Sequence, residues 1–455
     1  IRPNADHLPN DPLPATSRAG VGSGALIGLL LFYAMAAVAV GYQRTVLSHE
    51  NNFLIFRAAF EHLMAGQDLY APWPGVHEDF FKYSPTFAFL FAPFALLPVT
   101  AGYMLWALSC AAAVCWGFVR LLPARQAYVA LAIALLPVVG DLQRAQSNAL
   151  CAGLMLLTWT AYERRAQWSV ASAIAAGTFV KLFPAAAFAG AIFHPRKLRM
   201  ALIATATAIL GVALPLVAVS PTSLASQYRS WHAIETRDAA PLARYGAGGA
   251  DLYAGLMGQF RVWWGVDWPH WPTQLAGVIV LLLPLAVQWK RRDEPHFRLL
   301  FLSSILVFCV LFNHQAESPS FVIAMVGMAL WYAVSPRTGW RTGLMLVAFA
   351  VVNLGSTDLM PRAWYRAYYV PYLLKTVPLI PLWIVILVVS RDIMIVGAII
   401  LSWLIGNPIA IRPHVVSKAN TAAQIIYACL VLALYGFGFD AEPLLTLVMA
   451  MVAVL

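Results

Sequence analysis

The sequence predicts an all-α, polytopic integral membrane protein with roughly ten to twelve transmembrane helices. Of the 455 residues, 61% are hydrophobic and 11% are charged, whereas ordinary globular domains are about 25% charged. Apolar stretches such as Ala25–Val40, Leu275–Val287 and Tyr369–Val389 form the cores of segments near the about 20 residues that one bilayer crossing needs. Continuous apolar runs favour helices over barrel strands, and this composition excludes a soluble enzyme.

The basic residues predict the topology. The net charge is +10, but the positive residues lie in short clusters between apolar runs, as loops held on the cytoplasmic side do. This distribution argues against nucleic-acid binding. The clusters placed in the cytoplasm are Arg164–Arg165, Arg196–Arg199, Lys290–Arg292, Arg337–Arg341 and, more weakly, Arg120–Arg125.

Residues 1–24, which are rich in Pro, Asn and Ser, are interpreted as a cytoplasmic tail. Threading the apolar segments between the basic clusters places several polar or aromatic stretches on the opposite side of the membrane. These outer stretches are Gln43–Pro85, Gly140–Asn148, Ser220–Pro272, Asn313–Pro319 and Asn353–Tyr369.

Broken or re-entrant helices are expected at two places. Trp168–Phe193 lies between two basic clusters and has barely one crossing's worth of residues in which to rise and return. A hairpin of half-helices would place Lys181–Pro184 at its tip, in a protein-lined cavity. Thr86–Arg120 combines a short apolar stretch with a longer one, and one of the two is expected to be re-entrant.

The first outer loop begins with a predicted amphipathic helix. Phe53, Phe56 and Phe60 form an apolar stripe that suits a helix lying on the membrane surface. Arg57 and Glu61 are four residues apart and therefore share a face.

Two carboxylates of this loop, Glu50 and Asp79, are candidate general bases. A base near the membrane surface can deprotonate an acceptor hydroxyl while nearby cations hold a leaving phosphate. The alternative is that both are solvated loop charges.

Lys181 is the single residue that most strongly indicates a functional site. An ionisable group inside an apolar hairpin is energetically costly and tends to face a functional cavity. The alternative is that its side chain extends along the apolar surface to place the ammonium group at the membrane interface.

Two further outer breaks between helices carry polar groups: Asp141, Arg144, Gln146 and Asn148 in one, and Asn313–Pro319 in the other. His314 and Glu317 are weak candidates for metal ligands, because no spacing in this segment matches a standard metal site. They are stronger candidates for hydrogen bonding to a ligand. We predict no metal site and no required cofactor. The five cysteines lie in apolar segments and are interpreted as small buried side chains.

Several of these segments together resemble the polytopic GT-C glycosyltransferases, and within them glycosyltransferase family 87, which includes polyprenyl-phosphate-mannose-dependent mannosyltransferases. The resemblance spans roughly Leu26–Trp383. It rests on the order and spacing of Asn52–Ala59, Ala65–Tyr70, Lys82–Pro85, Phe91–Pro98, Ala145–Asn148 and Gly177–Pro184.

The resemblance implies a GT-C-like fold and an inverting transfer of a sugar from a lipid-linked phosphate to a lipid or glycan acceptor. It further implies a bacterial inner membrane, an active site on the extracytoplasmic face and an acidic base in the first outer loop. Many members carry Asp where this chain has Asn52, which cannot accept a proton from a hydroxyl. The base is therefore expected at a neighbouring carboxylate, Glu50 or Asp79, and the resemblance, which extends to His77–Asp79, favours Asp79.

The remaining site assignments follow from the resemblance. Lys181, with Arg144 or Arg57, would hold the donor phosphate, and Gln146 and Asn148 would bind sugar or phosphate oxygens. Asn52, His314 and Glu317 would line the same cavity. The donor is a polyprenyl-phosphate-linked hexose, with mannose as the first expectation.

The end of the chain has a second resemblance. Ile380–Asp392 and Val416–Gln424 are similar to the last helices of CDP-alcohol phosphatidyltransferases, whose metal-binding aspartate motif is absent from this chain. We therefore divide the chain into residues 25–383, a GT-C-like membrane domain, and residues 384–455, a partial phosphatidyltransferase-like segment. Two alternative functions stay open: a secondary transporter, since broken helices with a buried lysine also describe carriers, and a phosphatidyltransferase or its membrane partner.

Overall fold

The computed structural model describes residues 21–77, 79–238, 253–266, 268–357 and 359–387. The chain divides into two compact units, Ile1–Arg391 and Asp392–Leu455, and every described residue belongs to the first. Most of the predicted cytoplasmic tail and nearly all of the segment 384–455 lie outside the described residues. Both assignments stay predictions.

The described residues form helices and contain no β-strand. They include a 3-10 helix, Phe183–Phe193, and a π-helix, Tyr365–Tyr369. The α-helices are α1 Val21–Val46, α2 Asn51–Met64, α3 Pro85–Leu90, α4 Ala92–Ala95, α5 Val99–Leu121, α6 Ala124–Leu142, α7 Asn148–Glu163, α8 Gln167–Val180, α9 Lys197–Ala213, α10 Pro221–Asp238, α11 Leu256–Trp264, α12 His270–Val287, α13 Pro295–Leu311, α14 Phe321–Val334, α15 Gly339–Asn353 and α16 Arg362–Trp364.

Five described helices, α1, α5, α6, α9 with its continuation to Val217, and α12, are long and apolar enough to cross a membrane. Shorter apolar helices, including α13 and α14, accompany them. The prediction of an all-α, polytopic membrane protein is confirmed.

One predicted span differs from the structure. Tyr369–Val389 is not a single regular helix, because turns follow the π-helix Tyr365–Tyr369 and a helix resumes at residues 379–387. Leu373 has a left-handed φ of 51°, a conformation that a regular α-helix cannot contain. This break places Lys375 inside the molecule.

Small residues allow close packing at the centre of the bundle. A Cβ on Gly153 would lie 2.4 Å from the backbone of Ala113, and one on Gly117 would lie 2.7 Å from Leu156. These two contacts bring α5 and α7 together in the manner of small-residue interfaces in membranes. α7 is therefore a central helix whose ends are fixed on both sides of the bundle.

The predicted amphipathic helix is α2, but its apolar stripe packs against protein. Phe53 stacks on Tyr103 with ring centroids 5.3 Å apart, and Phe56 contacts Trp106 and Tyr83 edge-on. Phe53 and Phe56 are fully buried. The expectation that this stripe rests on the membrane surface is thus corrected: α3 to α5 cover it, since lipid and protein satisfy an apolar stripe equally well.

The hairpin prediction is confirmed. α8 ends at Val180, the chain turns at Lys181, and the 3-10 helix returns beside α8. Gly177 permits this return, because a Cβ there would lie 2.5 Å from Pro184. Phe193 reaches back to Trp159 in the last turns of α7, so both ends of the hairpin lie at one level and its tip at the other.

The bundle of described helices has a polar face at each of its two ends. The basic face contains Glu163, Arg165, Lys197, Trp289 and Arg298, which are joined by the Arg298–Glu163 ion pair of 2.8 Å and the Lys197–Trp289 ring contact of 5.5 Å. The opposite face contains the starts of α2 and α7 and the tip of the hairpin; because the sequence analysis predicts it to lie outside the cytoplasm, we call it the outer face. The 16 residues of α7 separate the two faces by about 24 Å.

Candidate active site at the hairpin tip

The site begins with a buried carboxylate between α6 and α7. Asp141 accepts hydrogen bonds from Ala149 N at 2.9 Å and from Asn148 Nδ2 at 3.0 Å. The first turn of a helix presents free N–H groups and the positive end of its dipole, so an anion is stabilised there. Asp141 thereby fixes the start of α7 and the orientation of the Asn148 side chain.

Asn148 connects Asp141 to Lys181. Its Nδ2 donates to Asp141, and its Oδ1 accepts a 2.9 Å hydrogen bond from Lys181 Nζ. The two contacts determine the amide orientation, since the reverse orientation would set the amide oxygen against a carboxylate. The fully buried Asn148 thus positions the only charged group at the hairpin tip Lys181–Pro184.

Lys181 has an aromatic neighbour from the first outer loop. Its Nζ lies 5.6 Å from the centre of the Tyr83 ring. Ser84 holds this segment against the hairpin, because its Oγ donates to Phe179 O at 2.5 Å and accepts from Phe87 N at the start of α3. An ammonium has three N–H donors, so Lys181 keeps donors for a ligand after bonding Asn148.

The start of α2 is tied to the same cluster. Asn52 Nδ2 donates to the carbonyl oxygen of Arg144 at 2.7 Å. Glu50, two residues earlier, stands at the N-cap of α2 and has one buried carboxylate oxygen without a hydrogen-bond partner. Gln146 also has a buried side-chain oxygen without a hydrogen-bond partner. Glu50 and Gln146, each with one such oxygen, therefore lie two residues from the Asn52–Arg144 contact.

Glu317 brings a second carboxylate to the cluster. It is exposed and precedes the short 3-10 turn Ser318–Ser320. Its charge interacts with Lys181 and with Tyr83. The break between α13 and α14 therefore meets the hairpin tip, as the sequence analysis expected.

Lys375 is a member of the cluster that the sequence analysis missed. Its Nζ donates to Ser318 Oγ at 2.7 Å and to Ser318 O at 3.0 Å, and lies 4.9 Å from the ring centre of Phe321. It is buried and close enough to Arg144 for their charges to interact. A signal was present: a lysine inside the apolar run Tyr369–Val389 is as costly as Lys181 is in its own segment.

Two other candidates, Arg57 and Asp79, make different contacts. Arg57 bonds Glu61 at 2.9 Å and Leu97 O at 2.9 Å, which anchors α2 to the turn after α4. Asp79 is exposed and accepts a 2.7 Å hydrogen bond from Phe80 N. None of these contacts involves Lys181. Their predicted roles stay predictions.

His314 lies on the same outer segment as Glu317, and its ring stacks on His270 with centroids 5.3 Å apart. Burial, and then the charge of His270, lower the pKa of His314, so the imidazole is neutral at pH 7. A neutral imidazole can donate and accept hydrogen bonds. Within the described part of the chain, no group of three or more His, Cys, Asp or Glu is arranged to hold a metal ion.

Membrane-crossing helices, a re-entrant hairpin and a cluster of lysines and carboxylates on one face define a polytopic membrane protein with a polar site at the hairpin tip. The family model of glycosyltransferase family 87 matches residues 80–313, which is more than half of the chain. The chain belongs to glycosyltransferase family 87. The matched region includes Tyr83, Asn148 and Lys181, whereas Glu50 and Glu317 lie outside it.

A structural comparison finds similarity to the oligosaccharyltransferase of Archaeoglobus fulgidus in its apo form. The TM-score is 0.39 and the sequence identity 12%; the match covers 78% of this chain and 56% of that one. This chain thus spans little more than half the length of that protein. No curated protein sequence matches the chain significantly.

Proposed function

We propose that this glycosyltransferase transfers a hexose, with mannose as the first expectation, from a polyprenyl-phosphate donor to a lipid or glycan acceptor. The reaction inverts the anomeric centre and takes place on the extracytoplasmic face of a bacterial inner membrane. The observation that carries the proposal is the Asp141–Asn148–Lys181 chain of hydrogen bonds at the hairpin tip. It presents an oriented ammonium group at the outer face of a family 87 enzyme.

Lys181, Lys375 and Arg144 form the proposed phosphate site. When the glycosidic bond to the donor phosphate breaks, negative charge grows on the leaving phosphate, and oriented cations stabilise this charge most strongly in a partly desolvated site. Lys181 is held by Asn148 and Lys375 by Ser318. Because neither lysine has to reorganise, their stabilisation is available as soon as the bond lengthens.

Glu50 is the proposed base, with Asp79 as the alternative from the first outer loop. An inverting displacement needs the acceptor hydroxyl opposite the leaving phosphate, and a carboxylate within reach of its proton. Glu50 precedes the helix that Asn52 ties to Arg144, and one of its oxygens has no hydrogen-bond partner. That oxygen is available to accept the hydroxyl proton.

The transfer of radiolabelled sugar from a polyprenyl-phosphate donor to membrane lipid tests the proposal. Lys181→Met should abolish transfer, whereas Lys181→Arg, which keeps the positive charge, should retain part of it. Glu50→Gln should also abolish transfer, whereas Asp79→Asn should not. Lys290→Gln, on the basic face, is the control at matched expression. No transfer by the wild type with any polyprenyl-phosphate sugar would overturn the proposed donor, and full activity of Lys181→Met would overturn the phosphate site.

A further inference from the structure

A cavity of about 420 Å³ opens on the basic face, at the end of α7 remote from Lys181. Its size falls within the range of roughly 300–1,000 Å³ that small-molecule sites occupy. The walls come from the end of α7, the end of the 3-10 helix, the start of α9 and the segment before α13. None of the residues assigned to the sugar-transfer site lines it.

Two of the side chains that line the cavity, His194 and Arg298, carry buried N–H groups without hydrogen-bond partners. His194 is 4% exposed, and its Nδ1 accepts a hydrogen bond from Arg196 N at 3.1 Å. The proton of the neutral ring is therefore on Nε2, and this atom is buried without a partner. Burial lowers the pKa of His194, which keeps the ring neutral. Arg298 has a second such atom, its Nε, while its Nη2 bonds Glu163.

The charges that line the cavity are mostly positive. Four cations, Arg165, Lys197, Arg292 and Arg298, face two carboxylates, so the net lining charge is +2 (4 − 2). Of the carboxylates, Glu163 is engaged by Arg298 at 2.8 Å. A compact anion with several acceptor oxygens would bond the free donors and relieve the repulsion between the cations.

Trp289 holds two of these cations at the mouth of the cavity. Lys197 Nζ lies 5.5 Å from its ring centre and Arg292 Cζ 4.9 Å. A cation over an indole ring is stabilised by the negative face of the ring. The two side chains are therefore held beside Trp289 at the cavity instead of extending into water.

Exposed apolar side chains flank the lining residues Lys197 and Trp289, and we call them the apolar rim. Leu198, next to Lys197, is 74% exposed, and Val287, two residues before Trp289, is 66% exposed. They belong to α9 and α12, the two candidate spans with the smallest buried share. A ligand with its phosphate in the cavity would lay its hydrocarbon chain along these helices.

We infer that this cavity binds the phosphate headgroup of an anionic membrane phospholipid on the cytoplasmic side. A free phosphate compound would satisfy the donors equally well, but only a lipid also covers the apolar rim. Basic pockets between helices on the cytoplasmic side of membrane proteins suit anionic headgroups in this way. The inference does not depend on which sugar or acceptor the enzyme uses.

Native mass spectrometry and thermal unfolding of the purified, delipidated full chain test this inference. Phosphatidylglycerol should bind and raise the melting temperature, whereas phosphatidylcholine of the same chains should bind at least about tenfold more weakly. Glycerol phosphate and inorganic phosphate form the water-soluble arm. If these soluble compounds protect as well as phosphatidylglycerol does, the site is one for free phosphate, and the lipid assignment is overturned.

Variants locate the binding. Arg165→Gln combined with Arg292→Gln should weaken phosphatidylglycerol binding about tenfold or more, and His194→Phe should weaken it while keeping the aromatic volume. Arg337→Gln removes one charge from an exposed position of another basic cluster and should leave binding unchanged. Equal binding by the double variant, His194→Phe and the wild type would overturn the inference, as would equal losses in Arg337→Gln and the double variant.

Discussion

Asn148 shows how one uncharged side chain can determine the position of a charged one. Its amide satisfies Asp141 with a donor and Lys181 with an acceptor. A buried polar group without its partner costs about 1–3 kcal/mol, so each of the three side chains depends on the other two. The carboxylate and the ammonium are thereby separated by a neutral linker, and Lys181 remains available to a phosphate.

Replacement of Asn148 by Leu should break this chain. Lys181 would lose its 2.9 Å partner and Asp141 one of its two donors, so the ammonium would move. A misplaced cation of this kind lowers a rate by about 10²-fold. Sugar transfer by purified protein measures the loss. Gln143→Leu, at an exposed position five residues away, is the matched control, and equal activities of the two variants would contradict the role given to Asn148.

Asn52 allows a second test at the scale of one residue. Its side chain donates to the Arg144 carbonyl, which an ionised aspartate cannot do because a carboxylate only accepts. Asn52→Asp should therefore lower the free energy of unfolding by about 0.5–1.5 kcal/mol and reduce sugar transfer. Asn52→Ala loses the same donor without gaining a charge. Comparing the thermal unfolding of Asn52→Asp and Asn52→Ala therefore separates the effect of the lost donor from that of the added charge. Transfer by Asn52→Asp above the wild-type rate would show instead that position 52 can supply the base.

At the scale of the element, the hairpin depends on one close approach. A Cβ on Gly177 would lie 2.5 Å from Cβ and 2.7 Å from Cγ of Pro184, and the proline ring is too rigid to move aside. Gly177→Ala should therefore destabilise the protein by about 1–3 kcal/mol and displace Lys181.

Thermal unfolding and sugar transfer of Gly177→Ala measure both effects. The control is Gly343→Ala in α15, where an added Cβ meets nothing within 4 Å. There the substitution should raise helix stability by about 0.5–1 kcal/mol, as Gly to Ala does in a helix interior. Unchanged stability and activity in Gly177→Ala would mean that the two half-helices do not approach as closely as the structure shows.

The elements also show what the sequence could predict. The hairpin followed from the short distance between two basic clusters, and Lys181 from the energetic cost of a charge in an apolar segment. The turn at Lys375 did not follow, because it depends on a left-handed Leu373 and a π-helix that hydropathy does not reveal. Two further features depend on tertiary packing, which no local pattern encodes. They are the burial of the α2 apolar stripe against protein and the hydrogen bond from Asn52 to the carbonyl oxygen of Arg144.

At the scale of the whole molecule, positive charges serve different purposes at the two ends. On the basic face they lie in loops or near the starts of helices, where they determine orientation and line the cavity proposed to bind a lipid headgroup. On the outer face Lys181 and Lys375 are held in the interior by Asn148 and Ser318. A cation that only anchors the protein can stay in water, whereas a cation that stabilises a transition state must be fixed before the reaction.

The separation of the two faces can be measured directly. Gly75 lies on an exposed part of the first outer loop with nothing within 4 Å of an added Cβ, and Arg337 is exposed in a basic cluster. In intact cells, a membrane-impermeant thiol reagent should label Gly75→Cys and leave Arg337→Cys unlabelled until the membrane is opened. The native chain measures the background, and Cys110, Cys115, Cys151 and Cys309, which are buried, should add little to it. Labelling of both variants in intact cells would contradict the topology, and the reverse pattern would move the Lys181 site to the cytoplasmic side, where an extracytoplasmic donor could not reach it.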